Sequence, residues 1–340
     1  MSTLSAAQIT ILDVANMPGN EGVKDIIELM AQFNPILADA IAVPCNMGDH
    51  HVTTVRTGLP TVTWGRMYKG IASTKGTKQQ VKDTTGFMES ASEVDQRIVD
   101  VVEAAMDKAS IRADEASGHM EAMSQEAASA IFYHDTALDP AKPMGLAPRF
   151  NDAINAENKS QIIDGGGVGS DNTSIWMVTW DKQTVHLIYP NKGKAGIERK
   201  DRGVINKLDS DNNTYFVYRE EFTWHLGISV RDWRYVVRIA NIDVSSLSKD
   251  AASGTDLIDA MTDMYFAHYG RRKGSGRTVI YANTTIVKYL DFQVRNATNK
   301  NLFLTLDKTG PNASEVLAFR GIPIHESDAL LETEEAIAFA

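Results

Sequence analysis

The stretch HVTTVRTGLPTVTWGRMYKGIASTKGTKQQVKDTTGFMES, residues 51–90, sets this sequence apart from an ordinary globular domain. β-branched residues alternate with polar ones on both sides of the Gly/Ser/Lys-rich segment KGIASTKGTK, a pattern typical of strands around a turn. It predicts a long two-armed ribbon with a flexible tip. The ribbon is basic, since it has only two carboxylates, Asp83 and Glu89, against the cations Arg56, Arg66, Lys69, Lys75, Lys78 and Lys82.

An acidic helix is predicted immediately after the ribbon. Residues 92–133 contain no proline, and their apolar residues recur close to the helical period of 3.6. At about 1.5 Å per residue, one helix over this span would be roughly 60 Å long, with Ser92 as its N-cap and Asp95 as an imperfect capping-box partner. Heptads are not sustained, so we expect a helix laid across a sheet. Its acidic residues are Glu93, Asp95, Asp100, Glu103, Asp107, Asp114, Glu115, Glu121 and Glu126.

The remaining segments predict an α+β fold. One amphipathic helix is indicated in residues 21–41, interrupted at Pro35. Residues 175–244 are mostly strand-like, a helix follows at about 254–269, and a strand–helix pair and a last strand complete the chain.

Composition excludes several classes of protein. The formal net charge of −10 over 340 residues argues against wrapping nucleic acid with a basic surface, although a protein that merely encloses nucleic acid remains compatible with it. The single cysteine, Cys45, excludes an intrachain disulfide and any CxxC site. We expect no signal peptide and no membrane partner, since no apolar run approaches the roughly 18–20 residues of a membrane helix.

The glycine-rich segment IIDGGGVGSDNTSIWMVTW, residues 162–180, is the first candidate for a ligand site. Ser170 stands where the dinucleotide fingerprint needs its third glycine, and no Walker motif is present. The glycines precede a strand-like run and not a helix N-terminus that could hold an anion. A turn before a buried strand is the better interpretation.

A second candidate, DSDNNTYFVYRE at residues 209–220, has oxygen side chains at positions 1, 3, 5 and 12 of a calcium loop. Thr214 replaces the required glycine, and the following residues alternate like a strand. We favour a polar hairpin turn, in which Asp and Asn tolerate tight geometry.

Catalytic motifs are lacking. The histidines are scattered, with no HExxH and no GxSxG, and Cys45 is expected to be a small buried residue. The basic cluster YGRRKGSGR, residues 269–277, is typical of a solvated loop. We therefore assign no catalytic, cofactor-binding or metal-binding residue and expect no enzyme activity. A homo-oligomeric hydrolase using His186 or His225 with a nearby carboxylate is the alternative from another class.

The order of arm, basic ribbon, long helix, β-rich region and α/β end resembles the major capsid proteins of tailed bacteriophages, with the HK-97-like fold. The phrases that carry the resemblance are VRTGLPTVTWGRMYKGI, GLAPRF, GSDNTSIWMVTW, VRDWRYVVRIANIDVS and FRGIPIHESDAL. A bacterial nanocompartment shell of the same fold is an alternative that the phrases fit less well.

The resemblance implies a division of the chain. Residues 1–50 would be the N-terminal arm, 51–90 the extended loop over a neighbouring subunit, and 91–251 the peripheral domain with its spine helix and additional strands. Residues 252–320 would form the axial domain at the centres of hexamers and pentamers, and 321–340 the strand that returns to the peripheral domain.

The resemblance also implies a function and partners. The protein would assemble with itself into an icosahedral shell that encloses double-stranded DNA, in the host cytoplasm, and would touch DNA weakly and without sequence preference. The partners would be a separate scaffolding protein, a portal and a candidate decoration protein. Covalent crosslinking, through Lys75 or Lys78 with Asn296 or Asn299, has only residue types in its favour.

The resemblance also implies a role for the charge pattern in assembly. A basic ribbon that meets acidic spine helices of another copy would steer assembly in a salt-sensitive way, and interface aromatics tend to contribute more energy per residue than exposed charges do. The expected contact residues are Arg56, Trp64, Arg66, Met67, Tyr68, Lys69, Lys75, Lys78, Lys82, Glu103, Asp107, Asp114 and Glu115.

Overall fold

The computed structural model describes residues 34–102, 108–249, 254–272, 276–296, 304–307 and 316–339. Most of the predicted N-terminal helix lies outside these residues. The described helices are α1 (Ile36–Asp39), α2 (Gln96–Val102), α3 (Lys108–Tyr133), α4 (Leu257–Ala267) and α5 (Thr284–Asn296). No helix in this part of the chain is long and apolar enough to span a membrane.

The described strands confirm the α+β class. They are β1 (Ala42–Pro44), β2 (His50–Gly58), β3 (Thr77–Thr84), β4 (Gly86–Asp95), β5 (Ile162–Asp164), β6 (Asn172–Trp180), β7 (Val185–Tyr189), β8 (Ile197–Leu208), β9 (Thr214–Val230), β10 (Val236–Asp243), β11 (Arg277–Ala282), β12 (Leu304–Asp307), β13 (Val316–Phe319) and β14 (Ile322–Glu326).

Strand β6 is the centre of the molecule. It pairs antiparallel with β10 on one side and with β11 on the other, and all of its residues are buried. Because side chains alternate across a strand, Trp176 and Val178 pack against the C-terminal half of α3. Ile175 and Met177 face the opposite way, into a second core with α4 and α5. The apolar, non-alternating sequence of β6 follows from this cover on both faces.

The second part of the sheet is built on β9. This strand pairs with β4 on one side and with β7 and β8 on the other. The N-terminal half of α3 packs on it, with Ala116 and Met123 against Phe222. The 26 residues of α3 span about 39 Å at about 1.5 Å per residue, so the helix is laid across both parts of the sheet as expected.

The predicted start of the long helix is wrong. Ser92 lies inside β4, opposite Glu220 of β9, and α2 begins only after Asp95, whose Oδ1 accepts the Arg97 N–H at 2.8 Å. Cα atoms of α2 and α3 approach within 8 Å of each other, whereas Val102 and Lys108 would lie about 10 Å apart on one straight helix. The two helices are therefore not a single 60 Å rod.

Both candidate ligand loops have structural roles. The Gly165 and Gly167 amides donate to backbone carbonyls of β10, and a Cβ on Gly165 would lie 2.7 Å from the Asn241 carbonyl oxygen. The glycines thus allow close backbone packing before β6. Asp209 accepts the Asp211 and Asn213 amides in the turn between β8 and β9, so the hairpin interpretation of this stretch is confirmed.

Candidate inter-subunit surface

The base of the ribbon is the antiparallel pair β2–β3. Its register places Val52 opposite Lys82 and Arg56 opposite Lys78. Because alternate side chains point to opposite faces, Arg56, Lys78 and Lys82 share one face of the ribbon, which we call the basic face. The other face carries His51, Thr53 and Val55 with Gln79, Val81 and Asp83.

The basic face has no internal charge compensation at its outer end. Arg56 and Lys78 are exposed and stand directly opposite each other, an arrangement that destabilises a strand pair. Within the described part of the chain, neither they nor Lys82 lies within 4 Å of a carboxylate. The face is suited to an acidic surface on another molecule.

The tip of the ribbon lies earlier in the sequence than predicted. The Lys69 amide donates to the Arg66 carbonyl and Tyr68 has a φ of 61°, so the chain reverses at Arg66–Lys69. We call these four residues the ribbon tip.

From Gly70 onward, the Gly/Ser/Lys-rich segment belongs instead to the returning arm, with Lys75 exposed on it and Lys78 inside β3. One of its two glycines, Gly76, has another use, because a Cβ there would lie 2.7 Å from the Gly58 carbonyl oxygen. Gly76 lets the two arms approach closely and does not form the turn.

Large apolar side chains at the end of the ribbon are uncovered. The exposed fractions of Trp64, Met67 and Tyr68 are 95%, 92% and 107%, and Leu59, Val62 and Ile71 nearby are also exposed. Large apolar side chains exposed so close together in sequence are typical of an interaction site.

A buried ion pair holds the base of the ribbon against the body. Asp83, which is 3% exposed, accepts a 2.7 Å hydrogen bond from Arg149 Nη1 and a 2.8 Å bond from Ser229 Oγ. The same guanidinium donates to the Gly145, Met144 and Ile228 carbonyls. This anchor was not predicted from the sequence. The feature that could have indicated it is Asp83 itself, because alternation along β3 places its side chain on the face of the ribbon opposite the basic face.

Two histidines lie beside the anchor in the interior. The rings of His51 and His186 meet edge to face at 5.3 Å, and both residues are buried. Burial, followed by the nearby charges of His51 and Arg231, lowers the pKa of His186 to about 4. His225, the other histidine of the hydrolase alternative, lies instead beside Phe87.

The predicted acidic contact residues are only partly covered by the structure. Glu103 and Asp107 lie outside the described residues, as does the side chain of Asp114. Glu115 is half-buried on α3 and has a polar or charged partner in its own chain. Their meeting with the basic face of another copy stays a prediction.

Among the described residues, no three His, Cys, Asp or Glu side chains are grouped to hold a metal ion. Cys45 is buried, and burial, reinforced by Asp49 and Asp83, raises the pKa of its thiol to about 11. Of the residues of the crosslinking hypothesis, Asn296 ends α5, whereas Asn299 lies outside the described residues.

The chain is similar to known proteins over nearly its whole length. The family model described as major capsid protein GP7 matches residues 19–338. A chain in the near-atomic-resolution structure of bacteriophage Epsilon15 is 32% identical, with 100% of both chains covered and a TM-score of 0.79. No curated protein matches the sequence.

Two further structures are more distant. The bacteriophage JBD30 capsid is 10% identical, with 94% of this chain and 99% of that chain covered and a TM-score of 0.46. The holo-SrpI encapsulin complex of Synechococcus elongatus PCC 7942 is 9% identical, with 69% and 96% covered and a TM-score of 0.46.

Proposed function

The chain belongs to the family of the major capsid protein GP7, with the HK-97-like fold of phage capsids, and we propose how this capsid subunit assembles. As a phage major capsid protein it forms a shell with copies of itself. The proposal is that the copies gather as hexamers and pentamers into an icosahedral shell around double-stranded DNA. One observation carries it: the ribbon ends in apolar side chains, and its basic face has two opposed cations, with no cover from the described residues of its own subunit.

Each segment has a proposed place in the shell. Residues 1–50 are the arm, 51–90 lie across a neighbouring subunit, and 91–251 form the peripheral domain. Residues 252–320 meet around the capsomer centres, and 321–340 return to the peripheral domain. The basic face, with Lys75, lies on acidic helix residues of the neighbour: Glu103, Asp107, Asp114 and Glu115.

The other partners follow from the same role. A separate scaffolding protein, a portal and a candidate decoration protein assemble with the shell in the host cytoplasm. Contact with packaged DNA is weak and sequence-blind, because the net charge of −10 repels phosphates. The subunit acts as a building element and not as an enzyme. A nanocompartment role is not proposed, since the relative that is 32% identical is a phage chain.

The test is negative-stain electron microscopy of the protein expressed with and without its neighbouring phage genes. Closed shells, or capsomers that close when scaffolding protein is added, are expected. In the triple variant Arg56→Glu, Lys78→Glu, Lys82→Glu we expect shell yield to fall at least tenfold. High salt is expected to weaken wild-type assembly, because it screens exposed charges.

A matched control reverses the same number of charges elsewhere. Lys182, Lys192 and Lys194 are exposed and do not belong to the basic face, so their reversal to glutamate should leave shell yield near that of the wild type. Equal yields from both triple variants would contradict the role of the basic face. Compact dimers or tetramers under every condition would contradict the shell arrangement itself.

A further inference from the structure

A cavity of about 180 Å³ opens beside the start of β4. It lies between that strand, the C-terminal half of α3 and the loop 139–143, and we call it the β4 groove. Its lining is mostly apolar. The apolar part is formed by Phe87, Met88, Ala130, Ala141, Pro143 and Leu226.

The walls of the groove are set by close packing. A Cβ on Gly86 would lie 2.8 Å from both the Ala141 carbonyl oxygen and Pro143 Cδ, so the loop rests directly on the strand. Met88 lines the groove from the face of β4 that packs against α3. Phe87 is 61% exposed and lies beside His225, at a ring distance of 5.8 Å, with its side chain on the opposite face of the strand.

The charge of the groove is acidic overall. Glu126 and Asp139 line it, and both are exposed. The lining also contains Lys142, whose Nζ lies 3.6 Å from Glu126 Oε1, and His134, whose Nε2 lies 3.3 Å from the same oxygen. Because burial lowers the pKa of His134, the ring is neutral near pH 7 and one carboxylate remains in excess of the cations. A cation on an incoming segment would compensate this charge.

The ribbon tip has complementary properties. Met67 and Tyr68 project from the turn almost fully exposed, and the cations Arg66 and Lys69 flank them. The positive φ of Tyr68 is uncommon for a residue with a side chain, so the turn holds an aromatic ring outward at a conformational cost. A bulky, rigid, partly apolar side chain between two cations is typical of an interface anchor.

We propose that the ribbon tip of one copy seats Met67 and Tyr68 in the β4 groove of a second copy, with Arg66 and Lys69 beside Glu126 and Asp139. The inference rests on the proposed function, because it names the docking site of the extended loop on the neighbouring subunit. In this contact the apolar side chains of the tip lose their exposed surface against the apolar lining of the groove. The base of the ribbon then lies on the acidic helix residues of the second copy, and the end of the ribbon lies in its groove.

The experiment places p-benzoylphenylalanine at position 68 and irradiates purified shells. We expect a dimer on denaturing gels, and mass spectrometry should find the crosslink in residues 86–88 or 139–143 of the second copy. The same probe at Leu208, which is 63% exposed at the end of β8, is the control and should not attach to the groove. Attachment of position 68 mainly to another surface, or intact shells without dimers, would overturn the inference.

A charge exchange provides a second measurement. Arg66→Glu with Lys69→Glu should lower shell yield at least fivefold, and adding Glu126→Lys should restore part of it, whereas adding Glu335→Lys, at an exposed site in the C-terminal segment, should not. Equal rescue by both would overturn the inference. Failure of the proposed function would look different, because the wild-type protein itself would then form no shells.

Discussion

At the scale of single residues, the pair Asp83–Arg149 determines how firmly the ribbon is attached. Removing one member of a buried ion pair leaves an uncompensated charge, which costs more than the pair itself contributes. We therefore expect Asp83→Asn to lower the free energy of unfolding by about 3 kcal/mol, measured by urea denaturation of soluble subunits.

An exposed ion pair is the matched control. Arg97 and Asp95 lie 2.8 Å apart at the start of α2, with the Arg97 side chain 78% exposed, and surface pairs contribute little. Arg97→Ala should leave the urea midpoint unchanged. Equal losses from the two substitutions would show that the anchor contributes no more than an ordinary surface contact.

His186 makes stability depend on pH. Its pKa is about 4 in the folded protein and about 6.5 in an unfolded chain, so the unfolded state binds the proton more readily. His186 therefore has no effect on the free energy of unfolding above about pH 6.5. Below this pH its titration lowers the free energy of unfolding, by up to about 1.4 kcal/mol per pH unit, until about pH 4. His186→Phe keeps a buried ring and should flatten this slope between pH 6.5 and 4.5, measured by urea titrations. An unchanged slope would assign the acid sensitivity to other groups, such as His268, whose pKa burial also lowers to about 4.

At the scale of elements, the C-terminal segment is a strap across the core. Glu334 accepts a 2.8 Å bond from Arg238 and a 2.6 Å bond from the Tyr133 hydroxyl, and it also bonds Ser174. Further along, the Ile337 amide donates to Asn241 Oδ1 at 2.7 Å. The strap therefore closes over the face of the sheet on which α3 packs.

Glu334→Gln removes the charge that compensates Arg238 and should loosen the strap. Amide hydrogen exchange in residues 328–339 should accelerate at least tenfold, which corresponds to about 1.4 kcal/mol of local stability. Glu335→Gln, one residue away on the exposed side, should leave exchange as it is. Unchanged exchange in both variants would mean that apolar contacts alone hold the segment.

The elements that could be predicted are those whose hydrophobic pattern is compatible with only one type of secondary structure. The apolar run at residues 175–178 of β6 and the alternation in β9 predicted strands because both features follow directly from burial. The helix start was misplaced because Ala91 and Glu93 favour helices while Ser90, Ser92 and Val94 alternate as a strand does. Pairing of β4 with β9 over its whole length overrides such weak local preferences.

The candidate site was predicted by residue type but not by arrangement. The cations of the ribbon were identified from composition, yet their common face depends on a register that the sequence does not specify. Asp83 and Arg149 are 66 positions apart, and nothing local connects them. The tip was misplaced because glycine serves equally for a turn and for close approach of two chains, and the structure uses Gly76 for the second purpose.

At the scale of the whole molecule, the stability of the shell is the sum of many weak contacts between subunits. An exposed ion pair contributes only about 0–1 kcal/mol, but the same pair forms again wherever two subunits of the shell meet in the same way. The charges of the ribbon should therefore govern the rate and salt dependence of assembly, while the apolar residues near its end should govern the final affinity.

That division gives a quantitative expectation for the concentration above which shells form. Trp64→Ala removes a fully exposed aromatic ring, and we expect it to raise this concentration roughly 30-fold, because an interface anchor contributes about 2 kcal/mol. Lys78→Ala should raise it less than about fivefold, in keeping with the weak contribution of a single exposed charge. Light scattering and sedimentation of purified subunits, with scaffolding protein where assembly requires it, would measure both values. A larger effect from Lys78 than from Trp64 would mean that electrostatic attraction, and not burial of the apolar end of the ribbon, holds the neighbouring subunits together.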